Sequence, residues 1–189
     1  MSDGRDAQVD AQVELRERVT RWDDPQRGRL LAEREGMSGI EFLRAILVGQ
    51  LPSPPMAELM GMRMASVEPG RVVFTVEPAE YHYNPIGMVH GGLAATLLDS
   101  AMGCAVQTLA PAGVAYTTLE LKVNLIRALR LGMGVVSGEG TVLHFGRQTA
   151  LAEARVTDAE GKLYAYATST CLIVRPDASA SRSDEDGAR

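Results

Sequence analysis

Hydrophobic and polar positions alternate along most of the second half of the chain. Six runs of strand-like composition are separated by glycine or proline turn signals, and they predict strands. The predicted strands cover residues 62–67, 71–77, 116–126, 133–145, 148–157 and 162–174. In the last strand the small side chains of Ala165, Ala167 and Cys171 share one face. We therefore expect another element to pack closely against that face of a sheet.

One segment between these strands has the pattern of a helix. Residues 90–109 contain no proline and are apolar on nearly all sides, which predicts a helix that the sheet buries. A line of polar or small residues at steps of three or four includes Asp99, the only charge of the segment. A buried carboxylate is costly unless it is paired or used. Asp99 is therefore a candidate functional residue, unless this line of the helix faces solvent.

The two ends of the chain differ from this central part. Residues 1–27 are charged and poor in large apolar side chains, which predicts a flexible arm. Residues 28–54 combine a helical apolar pattern with a proline-rich linker, so we expect an accessory helical segment there. A single domain is predicted over 55–174, followed by a polar, disordered tail over 175–189.

Composition and charge narrow the classes of function. The 189 residues carry 19 Lys and Arg against 24 Asp and Glu, a net charge of −5, which argues against nucleic-acid binding. The two cysteines, Cys104 and Cys171, lie far apart and fit neither a disulfide framework nor a zinc site. No apolar run reaches the ~18 residues that span a bilayer. We expect a cytoplasmic protein without metal or resident cofactor, and without a nucleic-acid or membrane partner.

Candidate chemistry gathers at the start of the predicted helix, where residues 84–92 read N-P-I-G-M-V-H-G-G. No Ser, Thr, Asp or Asn adjoins the helix start, so its first backbone N–H groups are predicted to be free. Gly91 and Gly92 lack a Cβ and let a ligand oxygen come close, although they also simply permit a tight turn. Asn84 can donate from its side-chain amide to the same oxygen. His90 is either a structural or a catalytic residue.

The spacing between the helix start and the carboxylate predicts an oligomer. Eight residues separate Gly91 from Asp99, a rise of ~12 Å along a helix. Reacting atoms have to approach to about 3–3.5 Å, so the carboxylate has to come from a second subunit related by a two-fold axis. We expect a homodimer, and a tetramer built as a dimer of dimers as the larger assembly.

The string N-P-x-G-x-x-H-G-G, with an aspartate nine residues after its histidine, resembles the hotdog-fold acyl-CoA thioesterases of the PaaI-like group. The resemblance covers about residues 55–174. It implies an α+β fold in which an antiparallel sheet of about five to six strands wraps round one long central helix. The N-terminal helical segment is extra to that fold.

The resemblance also implies roles for individual residues. In the family, the glycine N–H at the helix start and the asparagine polarise the thioester carbonyl, which assigns these roles to Gly91 and Asn84. The aspartate of the opposite subunit acts as nucleophile or general base, which falls on Asp99. Some members hold the attacking water with a hydroxyl on the strand after the helix. Thr118 is the first candidate for that position and Thr117 the second.

Further residues are predicted to contact the substrate, of which coenzyme A (CoA) is a part. Met88 and Leu93 are expected to line the acyl pocket, together with Gly92 at the helix start. Arg147 is the first candidate contact for the phosphates of CoA, followed by Arg127 and Arg130. Each arginine is equally compatible with a solvated surface charge. Aliphatic and aryl acyl groups remain open as substrates.

Two other functions fit the same sequence. A hotdog-fold dehydratase acting on carrier-bound acyl groups uses a histidine with an acidic residue, so His90→Ala would abolish its activity and Asp99→Asn would only impair it. A thioesterase predicts the reverse order. A non-catalytic acyl-CoA sensor would bind acyl-CoA without releasing thiol.

Overall fold

The structure is a computed structural model that describes residues 36–175 together with Ala32 and Arg34. The predicted arm over 1–27 and residues 176–189 of the predicted tail lie outside the described residues. Within residues 36–175 the α-helices are α1 (Gly39–Leu47), α2 (Pro55–Leu59) and α3 (Gly91–Gln107), and a 3₁₀ turn covers Glu80–His82. The strands are β1 (Arg63–Glu68), β2 (Arg71–Val76), β3 (Ala115–Leu125), β4 (Val136–Phe145), β5 (Thr149–Thr157) and β6 (Leu163–Val174).

All six strands join one antiparallel sheet in the order β1-β2-β4-β5-β6-β3. The six predicted strands are present, and β4 starts at Val136, three residues later than its pattern predicts. The α+β fold with one long helix against an antiparallel sheet is confirmed. β3 and β1 are the two edges of the sheet.

The long helix α3 packs against the inner face of the sheet. Two glycines of β4 allow the close approach, since a Cβ on Gly140 would overlap the backbone of Ala101 and a Cβ on Gly138 would lie 2.6 Å from Leu97 Cγ. Ala165, Ala167 and Cys171 of β6 are fully buried on the same face. The predicted packing against the small-residue face is therefore confirmed.

Two helices precede the sheet in the described residues: α1 lies in the predicted accessory segment 28–54, and α2 begins directly after it, at the start of the predicted domain. α1 begins after Ser38, whose backbone N–H and hydroxyl both donate to the Glu41 carboxylate, at 2.9 and 2.6 Å. Its apolar side packs mainly on β1. The short helix α2 was not predicted, because the proline run was interpreted as a linker. Pro55 occupies the first position of α2, where a missing N–H costs nothing.

The helices of the described part of the chain were compared with the requirements of a membrane span. None of the helices there combines the length and the apolar character that crossing a bilayer requires.

Candidate active site

The start of α3 is capped by a histidine ring. His90 is the N-cap residue, and its Nδ1 accepts the Gly92 N–H at 2.8 Å. A Cβ on Gly92 would lie 2.7 Å from Nδ1, so the glycine makes room for the cap. The prediction that both glycine N–H groups are free is therefore wrong for Gly92, because a ring nitrogen takes the place of the usual cap oxygen. Since Nδ1 accepts, Nε2 carries the ring proton.

The Gly91 N–H remains open in the described part of the chain, where no group accepts it. Leu125 of β3 lies over this position, since a Cβ on Gly91 would come within 2.5 Å of Leu125 Cδ1. The glycine sits in a cavity of about 200 Å³, whose wall includes Val89, Ala94 and Leu129. The helix dipole favours negative charge at this end of α3. The first turn is thus suited to an oxygen that gains negative charge.

Asn84 shapes the loop that leads to the helix. Its backbone N–H donates to the Met88 carbonyl at 2.7 Å, and its Oδ1 accepts the N–H groups of Ile86 and Met88 at 3.2 and 3.0 Å. Gly87 closes the turn with φ +75°, which favours glycine. Because the loop engages Oδ1, Nδ2 is the atom left to face a ligand. The predicted role of Asn84 as a donor is compatible with this geometry and stays a prediction.

A second histidine anchors the loop to the core. His82 is 5% exposed, its Nδ1 accepts the Ala79 N–H at 2.9 Å, and its Nε2 lies 3.1 Å from the Met60 carbonyl. Its own carbonyl accepts the His90 N–H at 2.8 Å. Burial lowers the pKa of His82 below the ordinary value of 6.5, which favours the neutral ring. Sequence reasoning missed this residue, because nothing in its spacing distinguishes it from a surface histidine.

Asp99 is paired with a threonine of the edge strand. Thr118 Oγ1 donates to Asp99 Oδ1 at 3.1 Å, and both residues are half-buried. The ladder between β3 and β6 shifts register between Thr118 and Glu120, a bulge of the kind that re-aims side chains. Thr117 is exposed. Of the two predicted hydroxyls, Thr118 is therefore the one that lies beside Asp99.

The polar line of α3 lies beneath β3. Gly103, one turn after Asp99, is in contact with the Tyr116 ring, and Gln107 is buried. The alternative that this line of α3 faces solvent is therefore wrong. Burial, together with the nearby Asp99 charge, raises the pKa of Cys104 to about 12, so this thiol stays protonated and packs as part of the core.

The carboxylate and the open N–H do not meet within one chain. α3 is continuous from Gly91 to Gln107, so the rise of ~12 Å between Gly91 and Asp99 is real. The structure brings Asp99 to Thr118 and places Gly91 near the Asn84 loop, as two separate groups.

The remaining predicted contacts have different outcomes. Met88 is 47% exposed and lines a cavity of about 310 Å³ next to the Gly91 cavity. Leu93 is 1% exposed, so its predicted place in the substrate pocket is wrong: it points from α3 into the core.

Arg147 is exposed on the β4–β5 turn. The β4–β5 turn lies at the C-terminal end of α3. There the Val142 N–H of β4 donates to the Gly70 carbonyl, and the Gly70 N–H donates to Thr108, which follows α3. Arg147 is therefore remote from Gly91, at the other end of the helix in the same chain.

Metal chemistry is not indicated by any cluster of ligands. In the stretch that the structure describes, no three His, Cys, Asp or Glu side chains lie close enough to hold an ion.

Comparison with known proteins places the chain in a family. A family model for the thioesterase superfamily matches residues 86–165. The 1,4-dihydroxy-2-naphthoyl-CoA hydrolase of Listeria monocytogenes is 27% identical over 117 residues, which cover 61% of this chain and 93% of the relative. The esterase candidate SSO2140 of Saccharolobus solfataricus is 30% identical over 118 residues, 62% of this chain and 82% of the relative.

Solved structures share the fold. The smu.793 protein of Streptococcus mutans, whose crystal structure contains acetyl CoA, is 29% identical, with a TM-score of 0.55 over 61% of this chain and 91% of the other. The matched residues include the helix-start glycines, Asp99 and Thr118. The resemblance to PaaI-like hotdog-fold thioesterases is confirmed, and the chain belongs to the thioesterase superfamily.

Proposed function

We propose that the protein hydrolyses acyl-CoA thioesters to the free acid and CoA, at sites shared between two subunits. The observation that carries this proposal is the unbroken α3, which separates the open Gly91 N–H from the Asp99–Thr118 pair by ~12 Å. A helix start and a carboxylate at that distance serve one reaction only if a second copy supplies one of them. The acyl-CoA hydrolase among the relatives supports the substrate class.

The donors of one subunit receive the thioester oxygen. The Gly91 N–H and the Asn84 Nδ2 hydrogen atoms point to the same oxygen and stabilise the negative charge that it gains in the tetrahedral transition state. His90 supports this geometry from the rear, because its cap on Gly92 fixes the first turn of α3. Leu125, which lies over Gly91, forms an apolar wall beside the donors.

Asp99 of the partner subunit acts as the general base or as the nucleophile. Thr118 holds Oδ1 of Asp99, which leaves Oδ2 directed to the reaction. Oδ2 either takes a proton from water that attacks the carbonyl carbon or attacks that carbon itself. In both routes the tetrahedral intermediate then breaks its C–S bond, and CoA leaves as the thiolate and takes up a proton. In the second route the product of this step is an anhydride with Asp99, which water hydrolyses to the free acid and the original carboxylate. In the first case the Thr118 oxygen also accepts a hydrogen from the attacking water.

The edge strand β3 is a suitable dimer surface. It is 11 residues long, no strand in the described part of the chain lies on its outer side, and its exposed side chains include Leu119, Leu121 and Leu125. Antiparallel pairing of two copies that places Leu121 opposite the partner's Lys122 also places Leu125 opposite the partner's Thr118. Because Leu125 lies over Gly91, this register brings the partner's Asp99 to the level of the donors.

Thiol release from a panel of acyl-CoA thioesters tests the proposal. We expect turnover by the wild type, a loss of about 10²–10³-fold in kcat for Asn84→Ala, as for one oxyanion donor, and a larger loss for Asp99→Asn. Arg155→Ala, an exposed substitution on β5, is a matched control for surface substitution. Full activity of Asp99→Asn would refute the proposal.

The same measurements separate the other candidates. A dehydratase leaves the thioester intact, so its activity is followed as loss of water from a hydroxyacyl thioester; if His90→Ala abolishes that activity and Asp99→Asn only impairs it, the dehydratase is favoured. If the protein binds acyl-CoA and no thiol appears, it is a sensor. Labelled oxygen found in the Asp99 carboxylate after one turnover in labelled water identifies the anhydride route. Sedimentation shows whether dimers pair into the predicted tetramer.

A further inference from the structure

Leu125, the last residue of β3, lies against the start of α3. Its Cδ1 is 2.5 Å from the position that a Cβ on Gly91 would take. In a helix the Cα–Cβ bonds are tilted towards the N-terminus, which is also the direction in which the free N–H groups of the helix start point. The Leu125 methyl group therefore lies beside the path of an oxygen that approaches the Gly91 N–H.

The backbone that carries Leu125 is held by the neighbouring strand. Leu125 is paired with Ala165 of β6. The N–H groups of the next two residues, Ile126 and Arg127, both donate to the Tyr164 carbonyl, at 2.8 and 3.0 Å. Because the strand is fixed on this side, a ligand can displace the wall beside Gly91 only by rotating the Leu125 side chain.

The Gly91 cavity has the size and the lining that suit a short acyl group. It measures about 200 Å³, and a cavity of about 150 Å³ with an apolar lining is large enough for benzene. Apart from His90 and Arg127, its side chains are aliphatic: Val89, Ala94, Leu125, Ile126, Ala128 and Leu129. The pantetheine arm of CoA is longer and carries amide groups, which an aliphatic wall would leave without hydrogen-bond partners. The acyl side of the thioester therefore fits this cavity better than the CoA side.

The α-carbon of the acyl group is the atom that meets Leu125. An oxygen that accepts the Gly91 N–H lies about 2.9 Å from the nitrogen. The carbonyl carbon follows about 1.2 Å beyond that oxygen, and the α-carbon about 1.5 Å beyond the carbonyl carbon. The α-carbon is thus the first atom of the acyl group to pass between Gly91 and Leu125.

We infer that Leu125 is a specificity-determining residue that selects acyl groups with an unbranched α-carbon, an inference that rests on the proposed function. A CH₂ group at the α-position presents only hydrogen atoms to the leucine. A methyl branch adds a carbon atom to the space beside Leu125 Cδ1, where the fixed strand cannot retreat. The preferred substrates are therefore thioesters of straight-chain acids.

Two isomeric substrates, butanoyl-CoA and the α-branched 2-methylpropanoyl-CoA, test the inference. We expect Leu125→Ala to raise the ratio of kcat/KM for the branched over the straight substrate at least tenfold, since one methylene in a pocket discriminates about 10–200-fold. Leu125→Val should raise it less. The ratio compares two substrates on one protein, so a weaker dimer does not change it. Leu143→Ala is the control, because Leu143 is 58% exposed like Leu125 but lies near the other end of α3, and it should leave the ratio unchanged.

Calorimetric binding of two CoA thioethers separates this inference from the proposed function. In these analogues of the two substrates a methylene lies between the sulfur and the carbonyl, so no thiol can be released. If no thioester is hydrolysed, the proposed function fails, and the inference still predicts that Leu125→Ala reduces the ratio of the two Kd values about tenfold. If thioesters are hydrolysed but Leu125→Ala leaves the kcat/KM ratio within twofold of the wild type, the inference is overturned and the hydrolase stands. An equal gain for both substrates would also overturn it, since Leu125 would then not distinguish the α-carbon.

Discussion

Substitution of His90 separates a structural from a chemical role of this histidine. Within the described residues its ring makes one hydrogen bond, in which Nδ1 accepts the Gly92 N–H at 2.8 Å, at an exposed helix start. Loss of an N-cap costs about 0.5–2 kcal/mol, so His90→Ala should lower the free energy of unfolding by about 1 kcal/mol. For a domain of this size that lowers Tm by about 2–4 °C. Asn is a good N-cap residue, and His90→Asn should recover most of the loss.

Urea unfolding and thiol release are measured on the same preparations. We expect kcat of His90→Asn to stay within a few-fold of the wild type, because the cap orients Gly91 and the ring takes no part in proton transfer. Gly92→Ala is the matched control: its Cβ would lie 2.7 Å from Nδ1 and displace the ring. Its effect and that of His90→Ala should not add, since both remove one cap. A stable His90→Asn variant without activity would refute this interpretation and favour a catalytic imidazole.

Three further predictions concern the sheet, the loop anchor and the acid group. Gly140→Ala should lower the free energy of unfolding by about 1–3 kcal/mol or more, measured by urea unfolding, because its Cβ would overlap the backbone of α3. The pKa of His82 is lowered in the folded state, so the unfolded chain binds more protons and the free energy of unfolding should fall as pH drops below 6.5. In the same unfolding assay, His82→Gln should be less stable than the wild type at pH 7.5. The stability of this variant should also depend less on pH. An equal pH dependence in both proteins would contradict this assignment. Thr118→Val removes a hydrogen bond to a carboxylate, for which we expect at least a tenfold loss of kcat, whereas Thr118→Ser should keep most activity and Thr117→Val should have no effect.

The elements of the fold could be predicted because each has a strong local pattern. The long apolar segment became α3, and the alternating runs became the six strands, with small residues marking the face on which the helix packs. The helix α2 was missed because a proline run indicates both the end of one helix and the first turn of the next. The start of β4 was placed early because apolar residues before Val136 continue the strand pattern.

The site was predicted only in part, because its contacts depend on three-dimensional packing. The resemblance assigned Thr118 to hold the attacking water, whereas its hydrogen bond to Asp99 depends on how β3 packs against α3 and was not predicted. The cap by His90 was missed because a ring nitrogen is not among the usual cap groups. Leu93 was misplaced because its position on the circumference of α3 cannot be derived from an all-round apolar pattern. Arg147 was selected because it follows a turn glycine, but a turn signal does not show at which end of α3 the turn lies.

Subunit complementation tests most directly whether two chains share each site. Asp99→Asn and Asn84→Ala are each expected to be nearly inactive, and the two are mixed as unfolded chains in equal amounts and refolded together. Half of the dimers are then mixed, and one of the two sites in each combines an intact Asn84 with an intact Asp99 from the partner subunit. We predict about a quarter of the wild-type thiol-release activity. A mixture that is no more active than its parents would contradict a shared site.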